Sequence, residues 1–381
     1  MGTLAFFPWL RLNGCVTLEG MQLVPFRRGS EPAGPGTELQ RVVDAVLEPY
    51  LVAAARPVEE ATLVSLAGQG LTEAITDDAL RDLFIVAELL AFSGLAARQF
   101  FNPIGLGYAN RDMFNLIVQR FDDPRGGVSL TSRRREGSTQ NYVTRDVYRV
   151  DRPRHVTSPF PVGLDDALLR ALMRARESDD GRYVESVVLF NRANTDGNDV
   201  SPGIEIILVV GAFQRLLQCQ GSRGHELATN FVQLFVPSQE LGVDAVSTVG
   251  QLRHRRRPWP RSIREAWIRD LYATRGDLAH GRTRSRYPAD WSVADHLLLA
   301  AYAFPRLVKV CLAQNRLYEL TDDDRLSVDM FEDLARHDLS EPVREGGEEQ
   351  WPWNRIRSHW VWSGATARMR AALESKPERP E

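Results

Sequence analysis

A chain of 381 residues, 43% hydrophobic and 25% charged, is long enough for two hydrophobic cores and has the balance of a globular protein rather than a disordered or fibrous one. Its longest apolar run, Ile206 to Phe213, falls short of the ~20 residues a membrane-spanning helix needs, and no secretory signal is visible at the N-terminus. The net charge of −3 conceals an uneven distribution: residues 253–286 carry eleven arginines against Glu265, Asp270 and Asp277, whereas residues 319–349 carry twelve acids against three arginines.

Residues 1–160 read as a mixed α and β domain. Val16 to Phe26 and Tyr142 to Val150 show partial alternation rich in β-branched and aromatic residues, and Thr62 to Leu66 is a short apolar run. Between them Thr76 or Asp77 can cap a helix carrying Leu80, Leu83, Ala87, Leu90 and Leu95 at helical spacing. Arg133 to Gln140 is too polar to bury itself and reads as an exposed loop. Pro153, Pro159 and Pro161 mark residues 151–163 as a linker.

Beyond the linker the pattern turns helical, so the expected fold is an α+β N-terminal domain followed by an all-α bundle over 161–335 and a Trp-rich tail over 336–381. Leu164, Leu168, Leu172 and Met173 line one face of a first helix, and 178–198 hold a short apolar run and a polar loop. Ile204 to Leu217 is apolar nearly all round, which suits a buried helix or a buried strand equally. Helices follow near His225 to Phe235, where Pro237 ends the run, and over Ser262 to Ala279, with Ile263, Trp267, Leu271 and Leu278 marking the buried face. Ser292 and Asp295 form a capping box for a long helix kinked at Pro305, and Thr321 with Asp324 forms a second for a helix bearing Val328, Phe331 and Leu334. The acidic triplet Asp322 to Asp324 is N-terminal helix charge rather than a metal site. His225 and His296 read as ordinary helix residues. The cluster of Trp351, Trp353, Trp360 and Trp362 reads as an aromatic anchor for the tail.

Cys15, Cys219 and Cys311 are too scattered for a disulfide framework or a zinc site, so a cytoplasmic chain without metal or cofactor is expected. The candidate chemistry lies in Leu271-Tyr-Ala-Thr-Arg-Gly-Asp-Leu-Ala-His-Gly281. Arg275 and His280 sit five apart at the end of a helix, and Gly281 can close it. Arg149 and His155 nearly repeat the spacing, but Pro153 between them excludes a helix there. On a continuous helix, five residues advance ~7.5 Å and turn ~500°, so Arg275 and His280 would diverge by about 140°. Either the helix stops near His280, or two chains share the site across a two-fold axis.

This segment resembles the R-x4-H motif of HEPN ribonucleases, and Tyr272 together with Gly281 resembles its ApeA-type form. The likeness covers roughly 202–335, and Gly276 stands where many members carry a polar residue. The resemblance implies an HEPN helical bundle acting as a metal-independent endoribonuclease: His280 moves protons between the 2′-OH and the leaving 5′-oxygen, and Arg275 holds the phosphate. It further implies supporting roles for Asp277 and Glu205, a homodimer, and work in prokaryotic antiviral defence or growth arrest. The N-terminal domain would then sense a phage or cellular trigger. Arg255, Arg256, Arg257, Arg261 and Arg282 are the candidate RNA-backbone contacts, with Trp259 among them for base stacking, and a solvated loop facing the acidic segment 319–349 is the equal alternative for the run 253–264. The competing expectation is a non-catalytic helical module that binds RNA, a nucleotide or a partner protein.

Overall fold

The computed structural model describes residues 2–29, 37–52, 56–100, 107–121, 128–133, 135–136, 139–144, 149–156, 160–178, 181–221, 224–237, 262–281 and 291–335, with backbone alone at 128–133, 139–144 and 178. These residues form two compact units. The first draws on Met1–Ala97, Ala109–Glu177 and Asn194–Asn198, and the second on Arg98–Tyr108, Ser178–Ala193 and Asp199 onward.

The first unit is built on a sheet of order β2-β3-β6-β1-β7, in which every neighbouring pair is antiparallel: β1 (Gly2–Phe7), β2 (Val16–Leu18), β3 (Met21–Arg27), β6 (Glu60–Leu66) and β7 (Ile117–Phe121). β1 is buried on both faces, with Phe6 opposite Leu63 and Ala5 opposite Val118. Its run of apolar residues lacks alternation for that reason. On one face Leu4, Phe6, Phe26 and Leu63 pack with Val43, Val46 and Leu47 of helix α1 (Glu38–Leu47), which Thr37 caps. A second small sheet joins β4 (Tyr50–Val52) to β5 (Arg56–Pro57) antiparallel and to β10 (Val150–Asp151) parallel. β8 (Val128–Arg133) and β9 (Thr139–Thr144) form a hairpin, so the loop expected over 133–140 is shorter than its composition implied.

Helix α2 (Asp77–Ala96) starts at the Thr76 cap and carries its apolar face through Leu83, Ala87, Leu90 and Leu95. Its Gly94 lies under the buried ring of Phe114, where a Cβ would stand 2.2 Å from Cζ. Helix α3 (Asp166–Ser178) buries Leu168, Leu169 and Leu172. The Asp165 amide donates to the Ser93 carbonyl at 3.2 Å, and Arg176 pairs with Asp82 at 3.0 Å. These ties to α2 place α3 in the first unit, so the boundary lies near 177 rather than at 160.

The second unit holds α4 (Arg182–Arg192), α5 (Pro202–Leu216), α6 (Gly224–Leu234), α7 (Ile263–Ala279), α8 (Val293–Gln314) and α9 (Asp322–Ala335). The ambiguous segment at 204–217 is therefore a helix, begun by Pro202 at its first position. Rings knit the core: Phe190 stacks on Phe304 at 4.7 Å, and Phe213 meets Phe304 edge-on at 5.1 Å. α8 is long and apolar enough to span a bilayer, but 67% of that stretch is buried inside the protein, as befits a core helix. Both capping boxes form. The Ser292 hydroxyl accepts from the Asp295 amide at 3.1 Å, and the Thr321 hydroxyl accepts from the Asp324 amide at 3.1 Å.

Asp324 also accepts a hydrogen bond from Lys309 at 2.6 Å. Burial alone would push its carboxyl up, but the Lys309 ammonium and the Thr321 hydrogen bonds outweigh it and hold the group below its ordinary value. A depressed folded value means stability present above the unfolded carboxylate range, about 3.9, and lost as pH falls through the folded value. Urea titrations should therefore show Asp324→Asn less stable than wild type at neutral pH, with the gap closing in acid. Gly94→Ala should cost about 1–3 kcal/mol by crowding Phe114, and the added Phe114→Leu change should recover part of it in the same assay.

Candidate active site

Helix α7 carries both chemical residues, and its rotation decides where they point. Ser262 caps it by accepting from the Glu265 amide at 3.3 Å, and Glu265 then pairs with Arg269 at 2.5 Å. Ile263, Trp267 and Leu271 are wholly buried. Leu278, expected on the same buried face, is 39% exposed. Its δ-carbon lies 3.4 Å from the position a Cβ on Gly203 would take, so the last turn of α7 reaches the first turn of α5.

Arg275 is half-buried, with its guanidinium 5.9 Å from the centre of the Tyr272 ring and its Nε buried without a hydrogen-bond partner. Tyr272 is pressed in turn against the backbone of Gly224, where a Cβ would sit 2.5 Å from the ring. The chain Gly224, Tyr272, Arg275 thus depends on the missing side chain at the start of α6.

α7 runs unbroken to Ala279, and His280 is its C-cap, with its amide donating to the Gly276 carbonyl at 3.2 Å. Gly281 follows at φ +62°, the left-handed turn that ends a helix most cheaply with glycine. The His280 side chain is exposed. Because the helix is continuous over Arg275 to Ala279, the two chemical residues follow its screw and diverge by about 140°.

Glu205 lies half-buried in the first turn of α5, two residues after Gly203, and so belongs to the same end of α7 as His280; Asp277 is half-buried there as well. Arg255, Arg256, Arg257, Arg261 and Arg282 lie outside the described residues, as do Trp259 and the tail tryptophans. His155 binds Asp112 at 2.7 Å, and residues 153–156 form a turn, so Arg149 and His155 share no helix.

What the sequence did not indicate is a buried polar cluster one turn before Arg275. His296 Nε2 lies 3.3 Å from Asp270 Oδ2 and 3.4 Å from Thr274 Oγ1, and the Trp291 amide donates to the same Asp270 oxygen at 3.4 Å. His296 and Asp270 are both buried, so His296 is a hub between α7 and α8 rather than an ordinary helix residue. The sole sequence signal was an acid at 270 on the stripe of Trp267 and Leu271. Arg264 and Glu332 form a second buried pair at 3.7 Å, joining α7 to α9.

An arginine that can hold a phosphate and an exposed imidazole that can trade protons form a minimal set for phosphodiester chemistry. Among the described residues, no group of three or more His, Cys, Asp or Glu side chains could hold a metal ion. Comparison with family profiles, curated proteins and solved structures finds no match to this chain.

Asp270→Ala strands the Trp291 amide and the His296 imidazole in the interior. It should lower stability by about 2–5 kcal/mol, read as a lower urea midpoint at unchanged m-value. Asp270→Asn, which keeps an acceptor, should cost less.

Proposed function

We propose that the helical unit is an HEPN-type endoribonuclease acting as a homodimer, with Arg275 and His280 as its catalytic residues. The observation that carries this reading is the end of α7. An arginine is braced on Tyr272, and a solvent-facing histidine caps the same helix before a left-handed Gly281. The imidazole takes the 2′-OH proton or supplies one to the departing 5′-oxygen, and the guanidinium binds the phosphate oxygens as charge builds on them. The products are a 2′,3′-cyclic phosphate and a 5′-OH strand.

The divergence of the two side chains supports the two-chain site. One straight helix cannot aim both at one phosphate, whereas a two-fold axis beside the α7 ends places the arginine of one copy near the histidine of the other. Glu205 and Asp277 serve as orienting acids at that end, and the arginines of 253–261 and 282–286 supply backbone attraction for RNA. The first unit acts as the sensor of a phage or cellular trigger that sets this activity loose.

Full-length protein should cleave RNA in EDTA and leave a 2′-deoxy-substituted strand intact. Arg275→Ala and His280→Ala should each lower the rate by about 10²–10⁴. Gly224→Ala, which pushes Tyr272 and through it Arg275, should lower the rate while helical content by circular dichroism is retained. Cleavage that persists in His280→Ala overturns the assignment, and RNA binding without cleavage by the wild type replaces it with a binding module. Mixing Arg275→Ala with His280→Ala protein should restore part of the activity if the site is shared between copies.

A further inference from the structure

The first unit contains a cavity of about 340 Å³ that the nuclease reading does not use. It lies where the end of β1, the start of β6 and the small β10-β4-β5 sheet meet. Trp9, Arg11, Arg56, Glu59, Glu60 and Arg152 are the side chains on its wall that bear on its chemistry. We propose that this cavity binds a nucleoside monophosphate, with the guanidiniums around Arg152 holding the phosphate and the Trp9 indole taking the base.

The charges point to an anion. Glu60 is already satisfied, since Arg11 reaches it at 2.8 Å and Arg27 at 4.0 Å. Arg152 is different. Its backbone is fixed by donating to the Leu51 carbonyl at 3.0 Å, and among the described residues no carboxylate pairs with its side chain. Burial first, and the Arg11 cation second, push the Arg152 guanidinium below its ordinary value. Glu60 already balances the Arg11 cation, so an incoming anion would be drawn by the Arg152 guanidinium, which has no carboxylate of its own among the described residues. Three guanidiniums against two carboxylates leave the wall with one positive charge in excess, and an arginine fork suits phosphate oxygens.

The second half of the ligand is set by Trp9. Its ring packs on the sheet core from the cavity side, while its Nε1 is buried without an acceptor. An indole beside a cationic wall is a stacking platform for a planar base. The volume lies near the lower end of small-molecule sites, which suits one nucleotide. This site belongs to the first unit and stands independently of the nuclease assignment.

The test is calorimetric titration of the full chain with AMP, GMP, CMP and UMP, and with adenosine, guanosine and inorganic phosphate as separate arms. At least one monophosphate should bind more tightly than about 1 mM, and its parent nucleoside and phosphate alone should each bind at least about tenfold more weakly. Arg152→Gln should weaken that binding at least about tenfold, and Arg152→Lys by less, because the charge survives without the fork. His280→Ala should bind as the wild type does, which separates this cavity from any nucleotide held at the end of α7. The proposal is overturned if no monophosphate binds by about 5 mM, if phosphate or nucleoside alone binds equally well, or if folded Arg152→Gln keeps full affinity.

Discussion

The complete burial of Trp267 governs the helical unit. Its ring meets Phe213 of α5 at 6.0 Å, Phe231 of α6 at 5.7 Å and Phe331 of α9 at 5.0 Å, so one side chain on α7 fixes the distance of that helix from three others. The indole Nε1 finds no acceptor there. An orphaned donor costs about 1–3 kcal/mol, whereas burying an indole of roughly 150–250 Å² contributes about 4–6 kcal/mol, so the ring wins and the nitrogen is tolerated. With Trp267 and Leu271 sunk, the helical screw leaves Arg275 at the border of the core and carries the helix end at His280 to the surface.

Aromatic packing alone would tolerate a small rotation of α7, because rings fill space without strong directional demand. The buried polar groups are less forgiving. Arg264 must face Glu332, and Asp270 must face His296 and the Trp291 amide, since a turn of one residue would strand each of them among apolar neighbours. Such pairs contribute little net stability but select one register. Here that register is what sets Tyr272, and with it Arg275 one turn on, against Gly224 of α6. The end of α7 that carries Arg275 and His280 is therefore aimed by groups one to three turns upstream.

Local signals were legible where a few adjacent residues suffice. Thr76, Ser292 and Thr321 each announced a helix start because an N-cap oxygen and its amide lie three positions apart. Gly281 likewise announced the end of α7. The interior strand β1 and helix α1 escaped notice. β1 is buried on both faces and shows no alternation, and α1 is short, with its apolar positions interspersed among polar ones. The allegiance of α3 rests on the Asp165 to Ser93 hydrogen bond and the Arg176 to Asp82 pair, contacts between distant positions that no window along the chain contains. His296 and Asp270 were hidden for the same reason, being 26 positions apart and unremarkable singly. Leu278 fitted the apolar stripe, but the stripe outruns the helices that would cover it.

The electrostatics at the end of α7 are finely balanced. The helix C-terminus presents roughly −0.5 of a charge, which opposes a phosphate, while the N-termini of α5 and α6 meet the same half of α7 through Gly203 and Gly224, each bringing roughly +0.5. Acids in those first turns reduce that benefit. Glu205 stands in the first turn of α5, and Glu226 accepts from the amides of Gln220 at 2.9 Å and Gly221 at 3.0 Å. Helix dipoles and first-turn acids together therefore offer no positive surface of their own, and any attraction for a polyanion would come from basic side chains. That need matches the concentration of arginines before and after α7, eleven of them between residues 253 and 286, in a chain whose overall charge is −3.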